Sequence, residues 1–385
     1  MNLDLSAPER AFREEVRGWL ADNVPRERQP YEGQEMRAFD LAWQRKQFEG
    51  GWAGIAWPVE YGGRGLSTVE QLIWFEESAK AGAPEARATF VGLNHGGPTL
   101  IANASEAQKA FHLPQILRGE VVWCQGFSEP GAGSDLASLS TRAEIDGDEL
   151  VINGSKLWTS YAHLADYQEL LVRTDPGSRR HGGISWVICD MKSPGITIRP
   201  VPFVTREHHL NQVFYDDVRI PLGNVVGEID QGWRVAMSTL SFERGTAFTL
   251  AQVRLAKAVD RLIGRAKDRT PRRGGCGFAD SEIGRRLTLL RAETAALRAM
   301  TYLAVARNAR RPAPGPDGSM LKILLGRLEQ EADRIAIELL GPQVVTLNDD
   351  TLSYLRGFQA TVAGGTDEIQ HNIVAQRVLD LPRQY

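Results

Sequence analysis

The hydrophobic period of this chain changes twice, and that change constrains the fold more than any single motif. Up to about residue 120 the pattern is helical: Leu41, Gln44, Arg45 and Phe48, and later Val69, Leu72, Ile73 and Glu76, mix apolar and charged faces. Turn-rich Trp57-Pro58 and Tyr61-Gly62-Gly63 interrupt it. From about 121 to 230 the period shortens, with apolar runs at 143–145, 150–152, 170–172, 184–188 and 196–198; Asp146-Gly147 and Asn153-Gly154 between them read as hairpin signals. After Gly232 the helical period returns through Trp233, Ala236, Met237 and Leu240 and persists. The pattern predicts an α+β chain: an N-terminal helical domain over 1–120, a middle antiparallel β domain over 121–230, and a C-terminal helical domain over 231–385. Ser6-Ala7-Pro8-Glu9 has the form of a capping box with an early proline, and Phe12, Val16, Trp19 and Leu20 share one helical face, so the fold is expected to start almost at residue 1. Residues 270–277 and 311–318, rich in Pro and Gly, read as loops between helices.

Several function classes lose support at this level. A formal net charge of −3 gives no general reason to bind nucleic acid, though a local basic pocket for a phosphorylated ligand is compatible with it. No stretch approaches the roughly 20 apolar residues of a membrane helix, and no basic segment followed by an apolar run opens the chain, which points to a soluble, cytoplasmic protein. Cys124, Cys189 and Cys276 lie far apart without CxxC spacing and are expected to be reduced structural thiols. His95, His208 and His209 have no carboxylate or cysteine at ligand spacing, so no metal site is expected and the three are read as loop or surface residues.

Three stretches carry candidate chemistry. In Phe127-Ser128-Glu129-Pro130-Gly131-Ala132-Gly133-Ser134-Asp135, small residues let backbone N–H groups approach a bulky polar ligand, although a loop of this kind is equally an ordinary turn. Asn153-Gly154-Ser155-Lys156-Leu157-Trp158-Thr159-Ser160 reads as a turn leading into a strand whose tryptophan and hydroxyls suit a planar heteroaromatic ring, or else as a strand with a core tryptophan. In Gly364-Gly365-Thr366-Asp367-Glu368-Ile369, Thr366 caps a helix whose N-terminus, behind two glycines, suits a pyrophosphate or is a plain N-cap.

In this order and spacing the three stretches resemble the acyl-CoA dehydrogenase family, and the resemblance runs from Trp52-Ala53-Gly54 and Pro58 through Gly232-Trp233 to the 364–368 segment. It implies helical, β and four-helix-bundle domains, assembled as a homotetramer or heterotetramer with FAD held between domains and across a subunit interface. Residue by residue, it implies that Phe127 and Ser128 hold the flavin pyrimidine edge and that Gly133 and Ser134 lie against phosphate or substrate. Trp158 would stand beside the flavin, Ser160 would bond its N5, and Thr366 and Glu368 would meet the phosphate and ribose portion. The implied substrate is an acyl-CoA, and the implied electron acceptor an electron-transfer flavoprotein or similar.

Much of the family carries its base immediately before the Gly-Thr pair, where this chain has Gly364; other members carry it in a Glu-Arg pair after the Gly-Trp signal, here Glu243-Arg244. The resemblance therefore implies Glu243 as the base that removes the α-proton while a hydride passes from Cβ to flavin N5. Glu243 also lies on the apolar stripe of Ala236, Leu240 and Ala247, where burial raises a carboxyl pKa and Arg244, also counted as a substrate contact, limits the rise. The Gly364 N–H would bind the thioester oxygen, and its missing side chain would leave room for a bulky acyl group. The Arg-x-x-Phe-Gly pattern of many relatives is missing, 338–343 departs from the usual Gly-Gly segment, and His371 replaces a common arginine and is read as a surface or interface residue. The run 318–322 and the ending 377–383 resemble an actinobacterial-type subgroup, some of whose members act on steroid side chains and some of which form mixed tetramers. Two other readings stay open: a partner subunit of a heteromeric enzyme, and a flavin oxygenase or nitroalkane oxidase on the same fold, the last disfavoured because it would use an aspartate base.

Overall fold

The computed structural model describes residues 5–242, 248–269, 281–308 and 315–382. Helices lead, a β region follows, and helices close the chain. The described residues divide into two compact units, one drawn from 1–21, 67–82 and 244–385 and the other from 22–66 and 83–243.

The second unit holds α2 (Gly33–Glu49), α4 (Gly97–Asn103), α5 (Glu106–Leu117), α6 (Gly232–Phe242) and a seven-stranded sheet. Its strands are β1 (Trp123–Gly126), β2 (Arg142–Asp146), β3 (Glu149–Ser160), β4 (Tyr167–Arg173), β5 (Ile184–Asp190), β6 (Ile196–Pro200) and β7 (Leu210–Pro221). The apolar runs of the sequence fall on β2 to β6. β3 pairs with β2 on one edge and β7 on the other, and β6 continues beyond β7, all antiparallel. β5 runs antiparallel along the whole of β4, so β1 and the end of β2 share the opposite edge of β4, and both meet it in parallel. The expected antiparallel sheet is thus mixed at this edge. Leu150, Ile152, Leu170, Val172, Val187, Val213, Val218 and Ile220 form one buried layer, and Trp57, Leu100, Leu117, Trp123, Leu171, Trp186 and Val235 form the core on which α4, α5 and α6 rest. Cys124 and Cys189 are buried free thiols of this unit, consistent with structural roles; Cys276 lies outside the described residues.

The first unit holds α1 (Ala7–Asn23), α3 (Thr68–Ala81), α7 (Phe248–Arg269), α8 (Glu282–Asn308), α9 (Asp317–Leu340), α10 (Asp349–Gly357) and α11 (Asp367–Arg377). The expected first cap is present: Ser6 N donates to Glu9 Oε2 at 2.6 Å and Glu9 N to Ser6 Oγ at 3.4 Å, and α1 buries Val16 and Leu20. Leu255, Val259 and Leu262 of α7, Leu287, Leu290 and Leu297 of α8, and Leu328 and Ile335 of α9 recur at spacings of three, four or seven residues and close one core. The loop expected over 311–318 ends earlier than read, because Asp317 and Gly318 already form the first turn of α9, and its residues 311–314 lie outside the described residues, as does the loop expected over 270–277.

Two local readings are overturned. Asn153-Gly154 is no hairpin turn but lies inside β3, at a register shift between Ile152 and Gly154. Asn153 there exchanges bonds with Asp217, and a Cβ on Gly154 would stand 2.7 Å from Thr141 Cα, so the dipeptide serves a close strand approach. His95, expected on a surface, is buried within a single π-helical turn, Gly92–Gly96, beside Glu169 and Gln125. Among the described residues no cluster of three or more His, Cys, Asp or Glu is arranged to hold a metal ion, and no helix is long and apolar enough to cross a membrane.

Gly232 explains half of the Gly-Trp signal. It opens α6 against β5 so closely that a Cβ would stand 2.3 Å from Trp186 N and 2.4 Å from Ser185 C, and backbone on both sides leaves nothing to yield. Gly232→Ala is expected to lower unfolding free energy by about 2–3 kcal/mol or more. Gly223→Ala, where nothing lies within 4 Å of the added carbon, is the control expected to stay near wild type in the same denaturant titration.

Candidate active site

The site is built on two consecutive devices, a loop after β1 and a bulge in β3. The loop opens with Phe127, whose ring is buried in the core, so only its backbone is free to face a ligand; Ser128 follows half-buried. Glu129 and Ala132 then exchange backbone bonds, Glu129 N to Ala132 O at 2.8 Å and Ala132 N to Glu129 O at 3.1 Å, closing a tight turn. Beyond it Gly133 and Ser134 are exposed, with nothing within 4 Å of where a Gly133 side chain would begin.

What holds the loop is a buried ion pair that sequence reasoning missed. Lys156 has no exposure; its Nζ donates to Glu129 Oε1 at 2.8 Å and to Phe127 O at 3.0 Å. Glu129 accepts further bonds from Ser140 N, Ser140 Oγ and Thr141 N at 2.7, 2.8 and 2.9 Å, and Leu157 N donates to Ser128 O at 2.9 Å. Burial works to raise the Glu129 carboxyl, but the Lys156 charge and the surrounding donors outweigh it and hold it down to about 2. Burial pushes the Lys156 ammonium down to about 8 against the pull of Glu129. Both residues sit inside the quoted stretches; only the strand register reveals that they meet.

Arg173, at the end of β4, ties the far side of the loop. Its guanidinium donates to Ala137 O at 2.7 Å, and to Arg180 O at 3.3 Å and Gly182 O at 2.5 Å across the β4–β5 connection.

The bulge comes next. Between the pairs Lys156↔Val213 and Thr159↔Asn211, β3 advances one residue more than β7. The surplus is absorbed at Trp158, which has φ 65°, a conformation that bulky side chains rarely adopt, and an indole 55% exposed. Thr159 points inward with a buried Oγ1 that has no partner among the described residues, and Ser160 is half-buried at the strand end. The expectation of a strand carrying Trp158 and two hydroxyls holds, but this tryptophan is no core residue. An exposed flat indole, a hydroxyl two residues on, and an open glycine loop bonded to the same strand fit the edge and face of a planar heteroaromatic cofactor.

In the other unit, Thr366 caps α11 by accepting from Ile369 N at 3.4 Å, as expected. Gly364 has φ 66°, and no atom of the described residues lies within 4 Å of where its side chain would begin. Asp367 bonds Lys322 Nζ at 3.0 Å, while the Glu368 carboxyl is held below its ordinary range by its own backbone N–H and the Thr366 hydroxyl. Two carboxylates in the first turn suit the hydroxyls of a ribose better than a pyrophosphate. His371 is exposed, with Nδ1 2.6 Å from Asp367 O. Glu243 and Arg244 lie outside the described residues; α6 runs up to Phe242.

Comparison with known proteins agrees over the whole chain. The family descriptions "Acyl-CoA dehydrogenase, N-terminal domain", "middle domain" and "C-terminal domain" match residues 6–120, 124–218 and 230–379. The chain is 42% identical over 388 residues to acyl-CoA dehydrogenase IpdE1 of Mycobacterium tuberculosis, covering 97% of this chain and 98% of that one. Two solved structures, each 32% identical and covering all of both chains, superpose on it: a Tcur3481-Tcur3483 steroid ACAD with a TM-score of 0.86, and the ChsE4-ChsE5 complex of Mycobacterium tuberculosis with 0.85.

The ion pair yields a directional test. Lys156→Met leaves a buried carboxylate without its cation and is expected to cost about 3–5 kcal/mol in chemical denaturation. Adding Glu129→Gln to it should recover most of that loss.

Proposed function

This chain belongs to the acyl-CoA dehydrogenase family, and on that premise we propose that it oxidises the Cα–Cβ bond of an acyl-CoA thioester to the 2-enoyl-CoA, with Glu243 as the base. The cofactor is FAD, which when bound supplies the two-electron acceptor for the hydrogen leaving Cβ. The observation that carries the reading is the bulge, where an indole is held out at φ 65° two residues before a serine hydroxyl. Trp158 walls the flavin and keeps water from it, and Ser160 donates to its edge. The backbone of Phe127 and Ser128 holds the pyrimidine side, Gly133 and Ser134 leave room for phosphate or the thioester arm, and Thr366 and Glu368 take the ribose portion.

Glu243 accepts the α-proton, which the adjacent thioester carbonyl makes acidic, and the Gly364 N–H donates to that carbonyl as negative charge develops on it. Arg244 contacts the substrate. The missing side chain at Gly364, where no described residue comes within 4 Å of an added Cβ, supports a bulky acyl group, and the steroid ACAD among its structural neighbours supports a steroid-derived one.

A second reading has support from those same neighbours, one of which is the ChsE4-ChsE5 complex and another of which carries two protein names, Tcur3481-Tcur3483. In it this chain is one partner of a heteromeric enzyme, and another chain completes the site. An electron-transfer flavoprotein or similar acceptor reoxidises the enzyme in either case.

Glu243→Gln should retain FAD and its visible spectrum while kcat falls about 10²–10⁴-fold on the best thioester of an acyl-CoA panel assayed with an artificial electron acceptor. Most of the activity surviving in that variant removes Glu243 as base. A wild-type chain that binds FAD but is silent across the whole panel favours the second reading.

A further inference from the structure

The bulge that presents Trp158 and Ser160 is strained at both ends, since Tyr161 has φ 56° as well. Such a segment persists only where its surroundings over-determine it. One end is secured by Leu157 N on Ser128 O, and the other by Tyr161 N on His209 O at 2.8 Å. Between them Thr159 and Ser160 pair with Asn211 and Leu210 of β7, and one side chain adds a further hold on the peptide that joins them. Asn211 of β7 is fully buried, and its Nδ2 donates to Thr159 O at 3.1 Å.

Two histidines hold Asn211 in turn. Its Nδ2 also lies 3.2 Å from His163 Nδ1 and 3.3 Å from His209 O, and its Oδ1 lies 2.8 Å from His208 Nε2. Backbone carbonyls only accept, so the amide fits one way round, with Nδ2 toward Thr159 O and His209 O. That orientation dictates the tautomers: His163 Nδ1 must be bare to accept, and His208 Nε2 must carry a proton to donate. The two imidazoles stack with centroids 3.7 Å apart and planes 12° apart. Burial, and next the neighbouring His208, push His163 down to about 4, which keeps its Nδ1 an acceptor at neutral pH.

We propose that Asn211, oriented by the stacked His163–His208 pair, is the positioning residue for the flavin-facing hydroxyl of Ser160. It pins the carbonyl of the preceding residue, so that the Ser160 backbone cannot swing and its hydroxyl stays aimed at the cofactor edge. Asn211 itself touches no cofactor and acts through Ser160. This rests on the flavin reading of the bulge.

The test is a double-mutant cycle on FAD binding to apoprotein, followed by flavin fluorescence and the visible flavin band, with circular dichroism of each apoprotein as the fold control. Asn211→Asp keeps size and shape but loses the donor to Thr159 O. It should raise the FAD dissociation constant about tenfold, the size of one lost hydrogen bond, and shift the flavin band. Ser160→Ala should do the same, and the double variant should be no worse than Ser160→Ala alone. His208→Phe, which keeps a stacked ring but frees Asn211 Oδ1, should move both readouts the same way by less, and replaces Asn211→Asp in the cycle if that variant does not fold. FAD binding unchanged in the Asn211 and His208 variants overturns the proposal, as do effects that multiply in the Ser160→Ala background. A folded wild-type chain that takes up no FAD overturns the flavin reading itself, an outcome seen before any variant is compared.

Discussion

The Lys156–Glu129 pair is the interaction on which the candidate site depends. It joins β3 to the loop after β1 through one ammonium donating to two acceptors, Glu129 Oε1 and Phe127 O, and it does so with no solvent access at the lysine. Both titrations are displaced downward, with opposite consequences for the charged forms: Glu129 is stabilised as an anion and Lys156 is penalised as a cation. Their contributions to net stability at neutral pH therefore largely offset one another, as is usual for buried pairs. What remains is geometric. A hydrophobic pair could fill the same volume but would leave Phe127 O and Thr141 N without their present partners, and each buried orphan would cost about 1–3 kcal/mol.

From that anchor the strand runs directly into strain. Lys156 is the last residue in regular register before the bulge, and Trp158 follows two residues later in the left-handed region. Residues held this way cost on the order of 1–3 kcal/mol each, so the fold accepts a local penalty to turn a large indole outward. In a protein that buries Trp57, Trp123 and Trp186, an outward tryptophan at such a position has its natural explanation in a ligand. Arg173 and Gly232 serve the same region: the first bonds the neighbouring loops, and the second seats α6 on β5.

How much of this was legible in the sequence follows a physical division. Elements that bury one face with a local period were read correctly, as were the capping box at Ser6 and the Thr366 cap, because their causes lie within a few residues. Asn153-Gly154 misled for the same reason: the dipeptide has a turn's composition, yet it is the approach of Thr141, distant in the fold's own terms until the sheet forms, that requires the glycine. The parallel pairing of β1 with β4 joins segments more than forty residues apart and carries no local signature. Trp158 and Ser160 were visible as a motif, but not that a bulge would expose one and half-bury the other. Lys156, Asn211 and His163 carried no separate signal; Asn211 meets Thr159 only once β7 is registered on β3. The assignment of Glu243 rests on sequence and resemblance, since it lies outside the described residues.

The central claim is that Trp158 is turned outward to stand against the flavin. Tryptophan emission during titration of the apoprotein with FAD tests this most directly, comparing wild type with Trp158→Phe. The account predicts that the difference spectrum, which isolates Trp158, is strongly quenched at saturation. Quenching of the same size in the variant, with a Trp158 contribution that FAD leaves untouched, would contradict it.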